Sequence, residues 1–344
     1  MNWSLRALRY FVAAAETGSI AAAAAAVHVS PPAISEAIGA IERELGVQLT
    51  IRRQGKGLTL TAPGDRLLVQ ARNLLAHADE VARFAAGMGS RQAGEIRIGC
   101  FVTLAPFVLP GLIAAFRAEH PEVALQFEEA NQQTLLDRLR AGRCDVALSY
   151  AYGLSEEFTA DVLAELPPQV VFAEGHPRAR DREVDLADLA REPMVMIDLP
   201  HTRDYFLSLF RALRIEPNVV YRVQSYELAR AMVARGLGFS ILNAIPREAR
   251  CYDGRSIVAV PIAGRLPQTL VVSLRSRRVV ERPSVGVFSA FVRRWFDEHG
   301  RSILSPAAHP PGGLTAGSMP ARRAAAAAPR RGAAHKPARR AIGP

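Results

Sequence analysis

Cysteine is scarce in this chain of 344 residues: Cys100, Cys144 and Cys251, an odd number with no CxxC pair. That count excludes a disulfide framework and fits a reducing compartment in which thiols sit buried. Neither their spacing nor their flanking residues speak for a redox switch. Long apolar runs are also missing, and none approaches the roughly 18 residues of a membrane span. The start of the chain, Arg6 and Arg9 ahead of Phe11 to Ala15, has the outline of a secretory signal, but Glu16 and then Gly18-Ser19 interrupt it. A cytoplasmic protein without membrane contact is expected. Catalytic signatures are absent as well, with no GxSxG, HExxH or phosphate loop. The histidines are scattered, and His176 reads as a turn residue. No enzyme, metal or cofactor is expected.

Acid is lacking at one end. After Ser305 come Arg322, Arg323, Arg330, Arg331, Lys336, Arg339 and Arg340 with no Asp or Glu, so this tail supplies most of the net charge of +10. Residues 1–65 carry six cations against five acids. Overall basicity is therefore poor evidence for nucleic-acid binding, and local pattern must carry that argument.

What is present is a globular composition, 49% apolar and 22% charged, enough for a sizeable core. Ser4 reads as the N-cap of a helix with Leu5, Leu8, Phe11, Val12 and Ala15 on one face and Gly18 at its end. Ser19 caps an almost all-alanine helix from Ile20 to Val27. After a turn at His28-Val29, Ser30 and Pro31 open a third helix, with Pro31 at the position where its missing N–H costs nothing. Ile34, Ile38, Ile41 and Leu45 make its buried stripe, and Gly46 ends it. This rod, roughly 22 Å long at 1.5 Å per residue, fits a DNA major groove. Ser30, Pro31, Pro32, Ala33, Ser35 and Glu36 lie at its leading end. A hairpin follows, with Arg52, Arg53 and Lys56 about its glycine-rich turn, where a wing meets phosphates. From Thr61 a long helix places Leu67, Ala71, Leu74, Ala78, Val81 and Ala85 at alternating spacings of four and three, a dimerisation seam of about three heptads.

The runs LRALRYFVAAAETGS, VHVSPPAISEAIGAIERELGVQL and RRQGKGLTLTAPG resemble the LysR-type transcriptional regulators, densely over residues 4–65 and more loosely to about residue 300. The resemblance implies an α/β protein with an N-terminal winged helix-turn-helix (1–61), a linker helix (62–90) and a two-lobed effector domain similar to periplasmic solute-binding proteins (93–300). It also implies homodimers or homotetramers on operator DNA, with RNA polymerase as a further partner. Pro31 stands where the family often has Gln, Glu36 where it often has Arg, and the second helix is unusually rich in alanine. Pro31 and Pro32 suit a thymine methyl and Glu36 a cytosine amine; the alternative for Glu36 is a solvated charge turned away from the bases.

Beyond residue 93, strands and amphipathic helices alternate in a βαβαβ rhythm that predicts a parallel sheet with helices on both faces. Crossings near Leu166–Pro168 and Pro261–Pro267 divide it into lobe I, about 93–166 plus 268–300, and lobe II, 169–265. A cleft ligand would meet strand C-termini and helix N-termini, which singles out Phe101, Val102, Thr103, Asn131 and Gln132 in lobe I. In lobe II the same geometry selects His201, Thr202, Arg203, Ser225 and Tyr226. Arg203, the one cation among them, suits a carboxylate effector. Helix capping by Thr103 and Ser225, a turn role for Asn131, and surface placement of His201 and Arg203 are the alternatives. Residues 302–344 read as a disordered basic Ala/Pro/Arg tail, which either adds nonspecific DNA affinity or is a biased extension.

The leading expectation is a DNA-binding transcriptional regulator modulated by a small molecule held between the two lobes. A transport solute-binding protein leaves the first 90 residues unexplained, and an enzyme with a regulatory head lacks a catalytic residue set.

Overall fold

The computed structural model describes residues 3–53, 57–85, 94–246, 249–264, 266–267 and 269–304. Lys56 lies outside them, as do residues 305–344. The side chains of Arg52, Arg53 and Ala85 lie outside the description too.

Helix α1 (Leu5–Thr17) begins at Ser4, whose hydroxyl accepts from the Ala7 N–H, and stops at Gly18, whose φ of 64° suits glycine. Ser19 caps α2 (Ile20–Ala26) by accepting from the Ala22 N–H. Ala23 and Ala24 are buried, and their small side chains let α2 pack between α1 and α3 (Pro31–Leu45). Ile34, Ile38 and Ile41 of α3 are sealed against Leu8 and Phe11. Strands β1 (Thr50–Arg53) and β2 (Gly57–Leu60) form an antiparallel hairpin with Thr50 opposite Leu60. Where this hairpin crosses the α1–α2 turn, Leu58 donates to the Gly18 carbonyl at 2.7 Å. A Cβ on Gly57 would lie 2.5 Å from that oxygen, so the crossing requires glycine.

Thr61 caps α4 (Ala62–Ala85), accepting from the Gly64 N–H at 3.1 Å. Leu68, Ala71 and Leu75 of α4 are buried in the same core as α1, with Leu67 packed at its margin. This corrects the expected seam: Ala71 is 1% exposed within its own chain and cannot meet a partner. The heptad reading fails there because the face of α4 that covers α1 overlaps the seam by one helical step.

The remainder runs β3 (Gly94–Phe101), α5 (Ala105–Glu119), β4 (Val123–Ala130), α6 (Gln132–Arg140), β5 (Val146–Tyr150) and β6 (Phe158–Leu166). Then follow β7 (Gln169–Ala173), α7 (Leu186–Leu189), β8 (Pro193–Ile197), α8 (Thr202–Ala212), β9 (Asn218–Val223), α9 (Tyr226–Ala234) and β10 (Ser240–Leu242). The last elements are β11 (Ile257–Pro261), β12 (Thr269–Ser276) and α10 (Pro283–Leu304). Lobe I is a five-stranded sheet in the order β4-β3-β5-β12-β6; lobe II has β10-β7-β11 and the pair β8-β9.

The parallel sheet expected from the βαβαβ rhythm is present in β4-β3-β5. Strand β12 returns from lobe II and enters antiparallel to β5 and β6. In lobe II, β7 pairs antiparallel with both neighbours, while β8 and β9 are parallel. Strand β6 was not expected: it is a sheet edge whose only partner among the described residues, β12, lies about a hundred residues later.

Helix α10 closes lobe I. Phe116 of α5 meets Phe288 and Phe291 edge-to-face at 5.0 and 5.1 Å. At its start Arg282, 5% exposed, bonds Asp145 at 2.8 Å, and Arg97 bonds the other Asp145 oxygen at 3.0 Å. Residues 302–304, expected in the tail, are helical instead, because Leu304 is buried against this core.

Candidate functional site

The leading end of α3 is uncommitted. Ser30 stands at the N-cap with extended backbone, yet its hydroxyl makes no capping bond. Pro31, Pro32 and Glu36 are exposed, Ala33 and Ser35 half-buried. The isoleucine stripe thus turns one face inward and leaves the other for a partner. One residue absent from the expected set fixes this geometry. The Glu42 carboxylate accepts from the backbone N–H groups of Leu49 and Thr50, at 2.8 and 3.0 Å, and from the Thr50 hydroxyl at 3.2 Å. That bond set ties α3 to the start of the hairpin; in sequence Glu42 looks like one more charge on a helix.

On α4, Leu74 and Val81 are exposed and Ala78 is half-buried. Arg72 on the opposite side is buried. It donates twice to Glu16 Oε1 of α1, at 2.8 and 3.0 Å, and once to the Ala141 carbonyl of lobe I at 2.6 Å. Burial pulls the Arg72 pKa below the usual guanidinium value, and the Glu16 hydrogen bond offsets part of that effect.

Between the lobes, the expected ligand positions separate into three groups. Asn131 and Ser225 cap their own helices, accepting from the N–H groups of Thr134 and Leu228. Phe101 is fully buried, edge-on to Tyr150 at 5.3 Å, and belongs to the core rather than to a ligand surface. Arg203 is drawn to Asp198 at 3.1 Å through Nη1 and to Asp204 at 3.3 Å through Nε.

The second group holds two residues bonded within lobe I and two that reach across the seam. Val102, half-buried, donates its N–H to the Ala130 carbonyl. Thr103 caps no helix; its side chain bonds the buried Tyr150 phenol, whose ionisation burial opposes. Tyr226 donates to the Ala244 carbonyl at 2.6 Å and meets Phe107 of lobe I edge-on at 5.8 Å. His201 sits at φ 65°, a conformation costly for a residue with a Cβ. Its Nε2 lies 3.2 Å from Gln133 Oε1 across the seam. Because Gln133 Nε2 donates to Asp137, Oε1 must accept, and His201 donates.

The third group is polar, buried and incomplete. Gln132 donates to the Tyr152 carbonyl at 2.6 Å, which fixes its amide and leaves Oε1 buried without a partner. Asn243, at the end of β10, bonds the Tyr152 hydroxyl at 2.5 Å, and that hydroxyl reaches Thr269 at 3.3 Å. Asn243 Oδ1 and the Thr202 hydroxyl are also buried and unpartnered. Tyr152 and Asn243 were not foreseen, since only the return of β12 and the end of β10 bring them together. Among the described residues no cluster of His, Cys, Asp or Glu could hold a metal ion, and no helix is long and apolar enough to cross a membrane.

This architecture has relatives. Residues 5–65 match the family model described as bacterial regulatory helix-turn-helix protein, lysR family, and residues 89–297 match the LysR substrate binding domain. The chain belongs to the LysR family. It is 35% identical over 269 residues to the uncharacterised HTH-type transcriptional regulator YnfL of Escherichia coli K12, covering 76% of this chain and 89% of that one. A hydrogen peroxide-inducible genes activator of Escherichia coli O157:H7 is 32% identical over 313 residues, 88% and 99% of the two chains. The crystal structure of HinK, a LysR family transcriptional regulator from Pseudomonas aeruginosa, superposes with a TM-score of 0.57 at 35% identity, covering 86% and 99%. The relatives are transcriptional regulators rather than enzymes, built from a DNA-binding helix-turn-helix and an effector-binding domain.

Proposed function

We propose that this LysR family member binds operator DNA through the leading end of α3 and the β1–β2 wing, under control of a small uncharged effector held between the lobes. The observation that carries the effector class is the buried set Gln132 Oε1, Asn243 Oδ1 and Thr202 Oγ1, which lack partners. A buried acceptor without a donor costs roughly 1–3 kcal/mol. A ligand bearing N–H or O–H groups, such as an amide, alcohol or phenol, relieves that cost. A carboxylate brings further acceptors and finds Arg203 already engaged.

Ser30, Pro31, Pro32, Ala33, Ser35 and Glu36 are the proposed base-facing residues, with Arg52, Arg53 and Lys56 on phosphates. The exposed Leu74 and Val81, with Ala78 beside them, are the proposed seam of a homodimer, two of which make a tetramer. RNA polymerase is the further proposed partner at the promoter. Peroxide sensing, suggested by one relative's name, gains no support from the thiols. Cys100, Cys144 and Cys251 are buried, and burial raises all three pKa values, that of Cys144 to about 12. Such thiols are poor nucleophiles.

The test is a gel shift on the DNA upstream of this protein's own gene, paired with thermal-shift screening of matched amides and carboxylates such as benzamide and benzoate. A salt-sensitive, sequence-preferring shift is expected, with stabilisation by amides only. Absence of the shift overturns the regulator reading; stabilisation by the carboxylates overturns the effector class.

A further inference from the structure

Helix α6 touches both functional regions. Its first turn lies at the lobe seam, where Gln132 holds the Tyr152 carbonyl and Gln133 accepts from His201 of lobe II. Its last turn ends at Ala141, whose carbonyl accepts from Arg72 of α4, and Arg72 in turn holds Glu16 of α1. The helix is nine residues long, a rod of about 13 Å at 1.5 Å per residue.

The rod is built to move as one piece. Leu135, Leu136 and Leu139 are buried on the sheet, and Leu135 sits so close over Gly99 that a Cβ there would come within 2.6 Å. Arg140 clamps Asp137 and Glu157 on the outer face, at 2.8 and 2.6 Å. At its far end Gly142, at φ 61°, lies beside Val69 and Asn73 of α4, and Gln70 donates to the Arg278 carbonyl at 2.8 Å. A guanidinium at a helix C-terminus also complements the negative end of the helix dipole. Here it is buried, so water does not compete for its donors.

We infer that α6 carries the state of the lobe seam to the winged helix-turn-helix, with Arg72 as the coupling residue that joins the end of α6 to α1. The inference rests on reading the seam as the effector site. Opening or closing of the seam shifts the first turn of α6. The rigid helix passes that shift to the Ala141 carbonyl, and Arg72 must then re-divide its donors between Ala141 and Glu16. A change at Glu16 displaces α1, against which α3 packs.

The test needs no effector. His201→Gly removes the cross-seam donor and accepts the positive φ, and Arg72→Lys keeps the charge but cannot hold both partners. Full-length wild type, both single variants and the double variant are titrated against the DNA upstream of the protein's own gene. In the wild-type background His201→Gly should change DNA affinity by about fivefold, and in the Arg72→Lys background it should leave affinity nearly unchanged. Equal effects in the two backgrounds, or no effect of His201→Gly in either, overturn the coupling. If Arg72→Lys does not fold, Glu16→Gln replaces it at the same junction. If wild type ignores the DNA, the regulator reading fails by itself, and hydrogen exchange then decides the coupling. The amides of Ala141, Arg143 and Cys144 must exchange faster in His201→Gly than in wild type; unchanged exchange overturns it.

Discussion

The winged module and the paired lobes use polar groups in opposite ways. In the first, Ser4, Ser19 and Thr61 serve the backbone, while Ser30 and Glu36 stand exposed at the leading end of α3. In the second, the uncommitted atoms are inside, on Gln132, Thr202 and Asn243. A surface that waits for a large charged partner keeps its groups hydrated until contact. Buried atoms without partners are held dehydrated, and any ligand that bonds them recovers the cost.

The largest expected effect lies in lobe I. Asp145→Ala removes the buried carboxylate that Arg282 and Arg97 both bond and should cost about 3–5 kcal/mol in denaturant unfolding of the effector half, while the module's own core stays intact. An equal loss in the module would break the contrast between the two regions. Next come two serines in the same helical position. Ser225→Ala removes a capping acceptor and should lower stability by about 1 kcal/mol. Ser30→Ala removes no capping bond and should lower stability by less than about half of that, while weakening operator affinity. Should both serines cost the same in a thermal melt, the Ser30 hydroxyl is not waiting for DNA.

Thr202→Val sharpens the contrast from the other side. Removing an orphan buried hydroxyl while keeping its shape should raise the melting temperature slightly, by a degree or two for a few tenths of a kcal/mol. It should also blunt stabilisation by amide probes. A lowered melting point means that the hydroxyl is satisfied in solution. The smallest effect is expected at the cysteines. At pH 8 a thiol with a pKa of about 12 is ionised in only ~1 molecule in 10,000, so the native protein should resist iodoacetamide and hydrogen peroxide. Rapid labelling of Cys144 in the native state would contradict its burial.

The module was legible in sequence because its determinants are local. Ser4, Gly18, Ser19, Pro31 and the Ile34–Ile38–Ile41 stripe each act within a turn or two of chain, and the structure shows them so. The two lobes and their crossings near Leu166 and Pro261 also show in the alternation of strands and helices. What sequence could not supply was pairing at a distance: β6 beside β12, the antiparallel return, and Tyr152 between Gln132 and Asn243. The ion pair of Arg203 with Asp198 on the preceding loop was not read either, since one charge in sequence says nothing of its neighbours in space. On α4, a periodicity shared by two faces left undecided which one Ala71 joins.

One carboxylate in the module has a wider consequence. Because Glu42 grips both the N–H groups and the hydroxyl at the root of the hairpin, rod and wing form a caliper whose jaws are set before any duplex arrives. In the proposed mode of DNA binding, an acid bonded to the backbone helps to set the groove width that fits, and the helix can be re-aimed only together with its wing.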